Sequence, residues 1–201
     1  MRASSSTTPT SATAAVAVSL SVSEAAGLAP KLDLQANDFV LFGLSPGFTV
    51  DRQAVDARWK QLQREVHPDR FAAQGQAAQR VAMQWSVRIN EAYNRLKDPL
   101  KRAAYWCELH GTPVNAESNT AMPPAFLMQQ MEWREALDDA DTEEALQALW
   151  DQTQTARDEL LEALAQSIDQ DANAPQAVAQ VRSLMFVERF AEEVQSHLER
   201  L

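Results

Sequence analysis

The chain has 201 residues, enough for one large or two small domains, and its single cysteine, Cys107, excludes an intramolecular disulfide and a cysteine-based zinc site. No run of 18 apolar residues occurs, so we expect no membrane-spanning segment. The net charge of −10 is uneven: residues 37–111 carry 11 Lys and Arg against 8 Asp and Glu, whereas residues 112–201 carry 5 against 18, which argues against nucleic acid as a partner of the acidic half.

Residues 1–36 are rich in Ser, Thr and Ala and lack aromatic side chains, a composition typical of a disordered tail. Its apolar run over residues 14–22 is similar to the core of an export signal. Only Arg2 precedes that run, and Ser and Thr interrupt it, so we expect a cytoplasmic protein.

Residues 37–111 predict a helical hairpin with flanking short helices. A short apolar helix over residues 39–44 comes first, and Asp51 is the expected N-cap of the next helix. Pro68 ends that helix, because the residue before a proline disfavours the helical conformation. After a loop of about nine residues, a helix from about 76 to 97 and a shorter one over 100–110 follow. Side chains at helical spacing form the expected core faces: Val55, Trp59, Leu62 and Val66, then Ala82, Trp85, Ile89, Tyr93 and Leu96.

Residues 112–124 are rich in Pro, Asn and Ser and are predicted to form a linker. Three helical stretches follow, near 125–139, 142–170 and 174–200, and their apolar stripes predict an antiparallel three-helix bundle over 125–201. The predicted fold class is therefore all-α, with two units.

The loop of the hairpin contains His67-Pro68-Asp69, and a tripeptide alone is a weak signal. It could be a helix stop with a solvated histidine. Its context is more specific: residues 64–71, 89–93 and 101–105 together resemble the J domain of co-chaperones. That resemblance implies a partner, a DnaK-class ATP-driven chaperone, and assigns stimulation of its ATPase to this tripeptide. The resemblance also implies a positive docking face made by Arg58, Lys60 and Arg64, which could instead be an ordinary solvated helix face.

The helix over 125–139 has two apolar stripes. Phe126, Trp133 and Leu137 form the expected core stripe, whereas Leu127 and Met131 lie about 100° to 200° away. A bundle helix needs one apolar stripe, and a second often marks a partner surface, to which methionine adapts well. The alternative is that Met128 and Met131 fill gaps against the N-terminal unit.

Residues 126–135 and 181–186 resemble the HscB family of iron–sulfur cluster co-chaperones, and the likeness covers about 37–201. It implies that the bundle binds the scaffold protein IscU and that the chaperone partner is HscA. The scaffold-binding positions that it implies are Leu127, Met128, Met131, Glu132, Glu135 and Phe186. Met131 replaces an expected leucine, and Met185 stands where some members have a cation. The longer eukaryotic members carry a cysteine-based zinc module, so the lone Cys107 favours a bacterial-type member.

Two alternatives stay open: a J protein for a different client, and a helical enzyme or metal protein that uses His67 and Asp69 as acid and base. The sequence has no Walker A loop, no HExxH and no recognisable Ser/His/Asp set. We therefore predict a protein that is not itself an enzyme and that needs no metal, cofactor, nucleic acid or membrane.

Overall fold

The computed structural model describes residues 35–115 and 122–200. Every regular element in these ranges is helical, which confirms the predicted all-α fold. The predicted tail, 1–36, lies outside the described residues except for its last two positions, and so does the middle of the predicted linker, 112–124. The elements are α1 (Asp38–Phe42), α2 (Arg52–Glu65), a 3₁₀ helix (Pro68–Gln74), α3 (Gln76–Lys97), α4 (Pro99–Leu109), α5 (Pro124–Asp138), α6 (Glu143–Ala165), a π-helical turn (Gln166–Gln170) and α7 (Ala174–Leu198).

The first helix of the α2–α3 hairpin begins at a capping side chain. The Asp51 side chain accepts hydrogen bonds from the backbone N–H groups of Gln53 and Ala54, which confirms it as the N-cap of α2. Val55 and Leu62 are fully buried against α3. Trp59, predicted on the same line, is half-buried, because its indole N–H extends to the edge and donates to the Asn90 side chain at 2.9 Å.

A buried carboxylate fixes α1 across this hairpin. Asp38 is fully buried, and its oxygens lie 2.5 Å from a guanidinium nitrogen of Arg88 and 2.7 Å from one of Arg95. The backbone N–H of Asp38 donates to the Tyr105 hydroxyl at 3.0 Å. The short helix is thus held by charge-assisted bonds to α3 and a bond to α4 as well as by its apolar face.

The connection between α2 and α3, predicted as a loop, contains a 3₁₀ helix over Pro68–Gln74. Pro68 occupies the first position of that helix, where its missing N–H costs no hydrogen bond. Phe71 is buried, and the 3₁₀ helix packs against α3. The turn signals in the sequence indicated where α2 ends. They did not predict that a second helical segment follows directly.

The C-terminal bundle consists of the long antiparallel pair α6 and α7, with α5 packed on α6. Its core contains Leu146 and Leu149 of α6 together with Val187 and Val194 of α7. Phe126, predicted in the core, is only half-buried. The end of α6, predicted as uniform helix to 170, widens into the π-helical turn, in which the Asp171 N–H donates to the Gln166 carbonyl at 3.1 Å.

The two units share one apolar core, which the sequence did not predict. Helix α4 packs against α7, and Arg182 of α7 donates two hydrogen bonds, 3.0 and 2.8 Å long, to the Val114 carbonyl just after α4. The residues buried at this junction are Phe48, Ala103, Trp106 and Cys107 on one side and Leu164, Ile168, Ala177, Val178, Val181 and Leu184 on the other. Because this core is continuous, the hairpin and the bundle form one packed body.

Candidate functional site

The His67-Pro68-Asp69 tripeptide projects from the end of the hairpin. The His67 and Asp69 side chains are 59% and 91% exposed, and Nδ1 of His67 lies 3.7 Å from Oδ2 of Asp69. Buried residues flank them on both sides, Val66 before and Phe71 after. The loop is therefore anchored at each end while its polar groups face solvent, where they can bond to a partner.

A side chain within the loop also caps the preceding helix. The Arg70 guanidinium donates to the Arg64 carbonyl at 3.1 Å. The last carbonyls of a helix have no partner within it, and a cation there is favourable. Arg70 thus ties the exposed tripeptide to the C-terminal end of α2.

The three cations predicted as a docking face do not lie together. Lys60 and Arg64 are exposed, and at 100° per residue they lie within about 40° of each other on α2. Arg58 is half-buried and lies about 120° to 160° from both. The outer face of α2 therefore carries Lys60 and Arg64, whereas Arg58 flanks the hairpin.

A second candidate site is a shallow groove of about 810 Å³ between α5 and α7, here called the α5–α7 groove. It brings together four of the six predicted scaffold-binding residues, Leu127, Met131, Glu135 and Phe186. Met128 and Glu132 are exposed on α5 but do not line it. The groove is also lined by residues that the sequence reasoning missed: Gln130, Arg134, Asp138 and Asp139.

The apolar residues of this surface are exposed to an unusual degree for a folded domain. Met131 is 72% exposed, Met128 64% and Leu127 44%. The alternative that Met128 and Met131 fill gaps against the N-terminal unit is therefore wrong. Adjacent exposed apolar side chains of this kind are typical of a protein–protein contact surface.

Phe186 has two roles in the structure. Its ring packs edge-on against Phe126, with centroids 5.8 Å apart, and lies parallel to Phe190 at 5.9 Å. The side chain is half-buried, so only part of it faces the groove. The Arg134 guanidinium lies 5.2 Å from the Phe190 centroid and pairs with Glu193 at 2.6 Å. Arg134 thus closes the aromatic cluster at one wall of the groove.

Comparison with known proteins identifies the family. Residues 122–195 match the family model described as the HSCB C-terminal oligomerisation domain. The co-chaperone protein HscB homolog of Burkholderia multivorans is 49% identical over 173 residues, which cover 85% of this chain and 98% of that protein. The chain belongs to the HscB family. Its role is accordingly that of a co-chaperone, a regulator of a chaperone system rather than an enzyme.

Other HscB proteins extend the likeness to the whole fold. The homolog of Paraburkholderia xenovorans is 48% identical over 171 residues, 84% of this chain and 97% of that one. The solved structure of chaperone HscB from Vibrio cholerae superposes with a TM-score of 0.70 at 34% identity, over 82% of this chain and 99% of that one. The crystal structure of human co-chaperone protein HscB superposes with a TM-score of 0.78 at 25% identity, over 85% of this chain and 86% of that one. The J domain followed by a helical bundle is therefore the HscB architecture.

The described residues add two negative findings. No helix among them is long and apolar enough to cross a bilayer. Within the same ranges, no group of three or more His, Cys, Asp and Glu side chains is arranged so that it could hold a metal ion.

Proposed function

We propose that this chain is a cytoplasmic adaptor of iron–sulfur cluster assembly that binds an IscU-type scaffold protein through the α5–α7 groove. It delivers that scaffold to HscA, a DnaK-class chaperone, and the His67-Pro68-Asp69 loop stimulates ATP hydrolysis by HscA. In this proposal the J domain spans 37–111, the linker 112–124 and the scaffold-binding domain 125–201. No cofactor of its own is required.

The observation that carries the proposal is the exposed apolar surface on α5. Leu127 and Met131 lie side by side in the groove with much of their side chains in contact with water. Transfer of such surface to a partner is favourable by about 25 cal/mol per Å². The resemblance to HscB points to the partner, and four of the six scaffold-binding positions that it implies line the groove: Leu127, Met131, Glu135 and Phe186.

Charged side chains surround the apolar centre of the groove. Glu135, Asp138 and Asp139 line one side of it, and Arg134 lies at the aromatic wall. An apolar centre with charged residues at its edge is the usual composition of a specific interface, in which the centre provides affinity and the rim selects the partner.

The surface of the J domain supports the proposed contact with the chaperone. His67 and Asp69 are exposed at the tip of a rigidly anchored loop, and Lys60 and Arg64 face solvent on the helix leading to it. Like-signed cations on one face accelerate encounter with an acidic partner surface. This geometry allows chaperone and scaffold to be bound by different parts of the same chain.

A calorimetric titration of purified IscU-type scaffold into the full chain tests the proposal. We expect saturable binding, because the groove is preformed and exposed. A J protein for a different client would still stimulate the ATPase of a DnaK-class chaperone but would release no heat of binding with this scaffold. A helical enzyme would instead turn over a substrate without any partner.

A further inference from the structure

The Asp169 carboxylate of the C-terminal bundle accepts two hydrogen bonds from the backbone of the J domain. Oδ1 of Asp169 accepts a hydrogen bond from the Phe48 N–H at 2.7 Å, and Oδ2 accepts one from the Thr49 N–H at 2.9 Å. The two oxygens of one carboxylate therefore hold two successive peptide groups. A two-point contact of this kind fixes orientation as well as position.

Phe48 and Thr49 directly precede α2, the helix of the proposed chaperone contact. Thr49 is followed after one residue by Asp51, the N-cap of α2. Helix α2 carries Lys60 and Arg64 on its outer face and ends at the His67 loop. Whatever fixes Phe48 and Thr49 therefore fixes the starting point of that helix relative to the bundle.

The π-helical turn explains how Asp169 reaches this position. The turn over Gln166–Gln170 contains a wider hydrogen-bonded ring than an α-helix, closed by the Asp171 N–H and the Gln166 carbonyl. Within it Ile168 is buried in the shared core, and Asp169, the next residue, faces the J-domain segment.

A buried arginine of the J domain supports the same contact from the other side. The Arg102 side chain is almost fully buried and donates from Nε to the Phe48 carbonyl at 2.7 Å. The N–H and the C=O of Phe48 are thus both held, one by each unit. Asp169 is an exposed residue whose contact with the J domain desolvates it only in part. This partial desolvation would raise its pKa, but hydrogen bonds from Thr49 and Phe48 and the charge of Arg102 outweigh it and lower the pKa, so the carboxylate is ionised at neutral pH.

We propose that Asp169 is a positioning residue that fixes α2 at one angle to the α5–α7 groove. A protein bound in the groove is then presented to the chaperone in a single orientation, which raises its effective concentration at the chaperone. The contacts of Asp169 are independent of the proposed function, whereas their consequence for the chaperone rests on it.

Two variants and a matched control test this role in the full chain. Asp169→Asn keeps the size of the side chain but places an amide N–H₂ where one backbone N–H needs an acceptor. Gly47→Ala disturbs the contact from the J-domain side, because its added Cβ would lie 3.0 Å from Oδ1 of Asp169. The control is Asp171→Asn, which makes the same charge change at an exposed residue next to the π-helical turn, whose side chain accepts a hydrogen bond from Gln166 and not from the J domain.

Residual dipolar couplings report the orientation directly. We expect both halves of the wild-type chain and of the Asp171→Asn chain to share one alignment tensor, and the two test variants to need two tensors. A single shared tensor in Asp169→Asn would overturn the proposal, because the shared apolar core alone would then fix the angle. This result is independent of whether a scaffold binds.

The functional readout is the extra ATPase rate of the chaperone that the scaffold adds to the rate with the chain alone. For Asp169→Asn we expect this increment to fall by about threefold or more, with unchanged scaffold affinity and an unchanged rate without scaffold. An undiminished increment would contradict the positioning role. If the wild-type chain fails to bind the scaffold, the proposed function fails instead, and the alignment tensors still decide the role of Asp169.

Discussion

Truncation of Met131 to alanine is the sharpest test of the α5–α7 groove. Complete burial of a Met or Leu side chain is favourable by about 1.5–3 kcal/mol. Met131 is 72% exposed in the free protein, so a partner that covers it gains about 1–2 kcal/mol from this side chain. We therefore expect Met131→Ala to weaken scaffold binding by about 5- to 30-fold. Leu127→Ala should have a smaller effect, because Leu127 is only 44% exposed.

The assay is calorimetric titration of the scaffold into each variant, with the free energy of unfolding measured in parallel. Met131→Ala should leave that stability nearly unchanged, since the side chain makes few contacts in the folded chain. Phe186→Ala is less informative, because it also removes a ring from the aromatic cluster of the bundle. The matched control is Met83→Ala on α3, which removes a methionine that is 58% exposed on the J domain.

Equal scaffold affinities of the wild-type, Met131→Ala and Met83→Ala chains would refute the reasoning. Such a result would mean that the partner does not cover the centre of the groove. A loss of affinity in Met83→Ala as large as that in Met131→Ala would place the contact elsewhere or make it nonspecific.

Three further predictions concern other parts of the chain. His67→Gln should abolish stimulation of the chaperone ATPase while calorimetry gives unchanged scaffold affinity, because the loop and the groove are separate surfaces. The double variant Lys60→Ala, Arg64→Ala should need about a tenfold higher concentration for half-maximal stimulation of the chaperone ATPase at low salt, since long-range attraction is lost. This concentration should also depend less on the NaCl concentration than that of the wild-type chain. Ala172 has a φ of 47°, a left-handed conformation that strains any residue with a Cβ. Ala172→Gly should therefore raise the free energy of unfolding in urea by about 0.5–1 kcal/mol, and a decrease would show that the turn is unstrained.

Much of the fold could be predicted because helix signals are local. The Asp51 cap and the proline at position 68 determine the ends of α2, and the spacing of Val55 and Leu62 indicates its buried face. These features depend on a few neighbouring residues, so the sequence displays them directly. The 3₁₀ helix after Pro68 could not be predicted in this way, because the burial of Phe71 and the packing of the segment on α3 are tertiary features that local turn signals do not show.

The candidate site was predictable in part, for the same physical reason. A second apolar stripe on α5 was visible in the periodicity, and the structure gathers Leu127 and Met131 in one groove. Periodicity reports that a face is apolar but not which element covers it. The α4 face that meets α7 and the grip of Asp169 on Phe48 both depend on contacts distant in sequence, so neither could be read from local spacing.

In the proposed function, one chain joins a scaffold to a chaperone. The most direct test is the steady-state ATPase rate of the purified chaperone with the chain alone, with the scaffold alone and with both together. We predict that the stimulation with both exceeds the sum of the two separate stimulations. The excess should disappear in His67→Gln and should fall in Met131→Ala at a scaffold concentration that does not saturate the weakened variant. A stimulation with both that equals the sum of the two separate stimulations would contradict the proposed function.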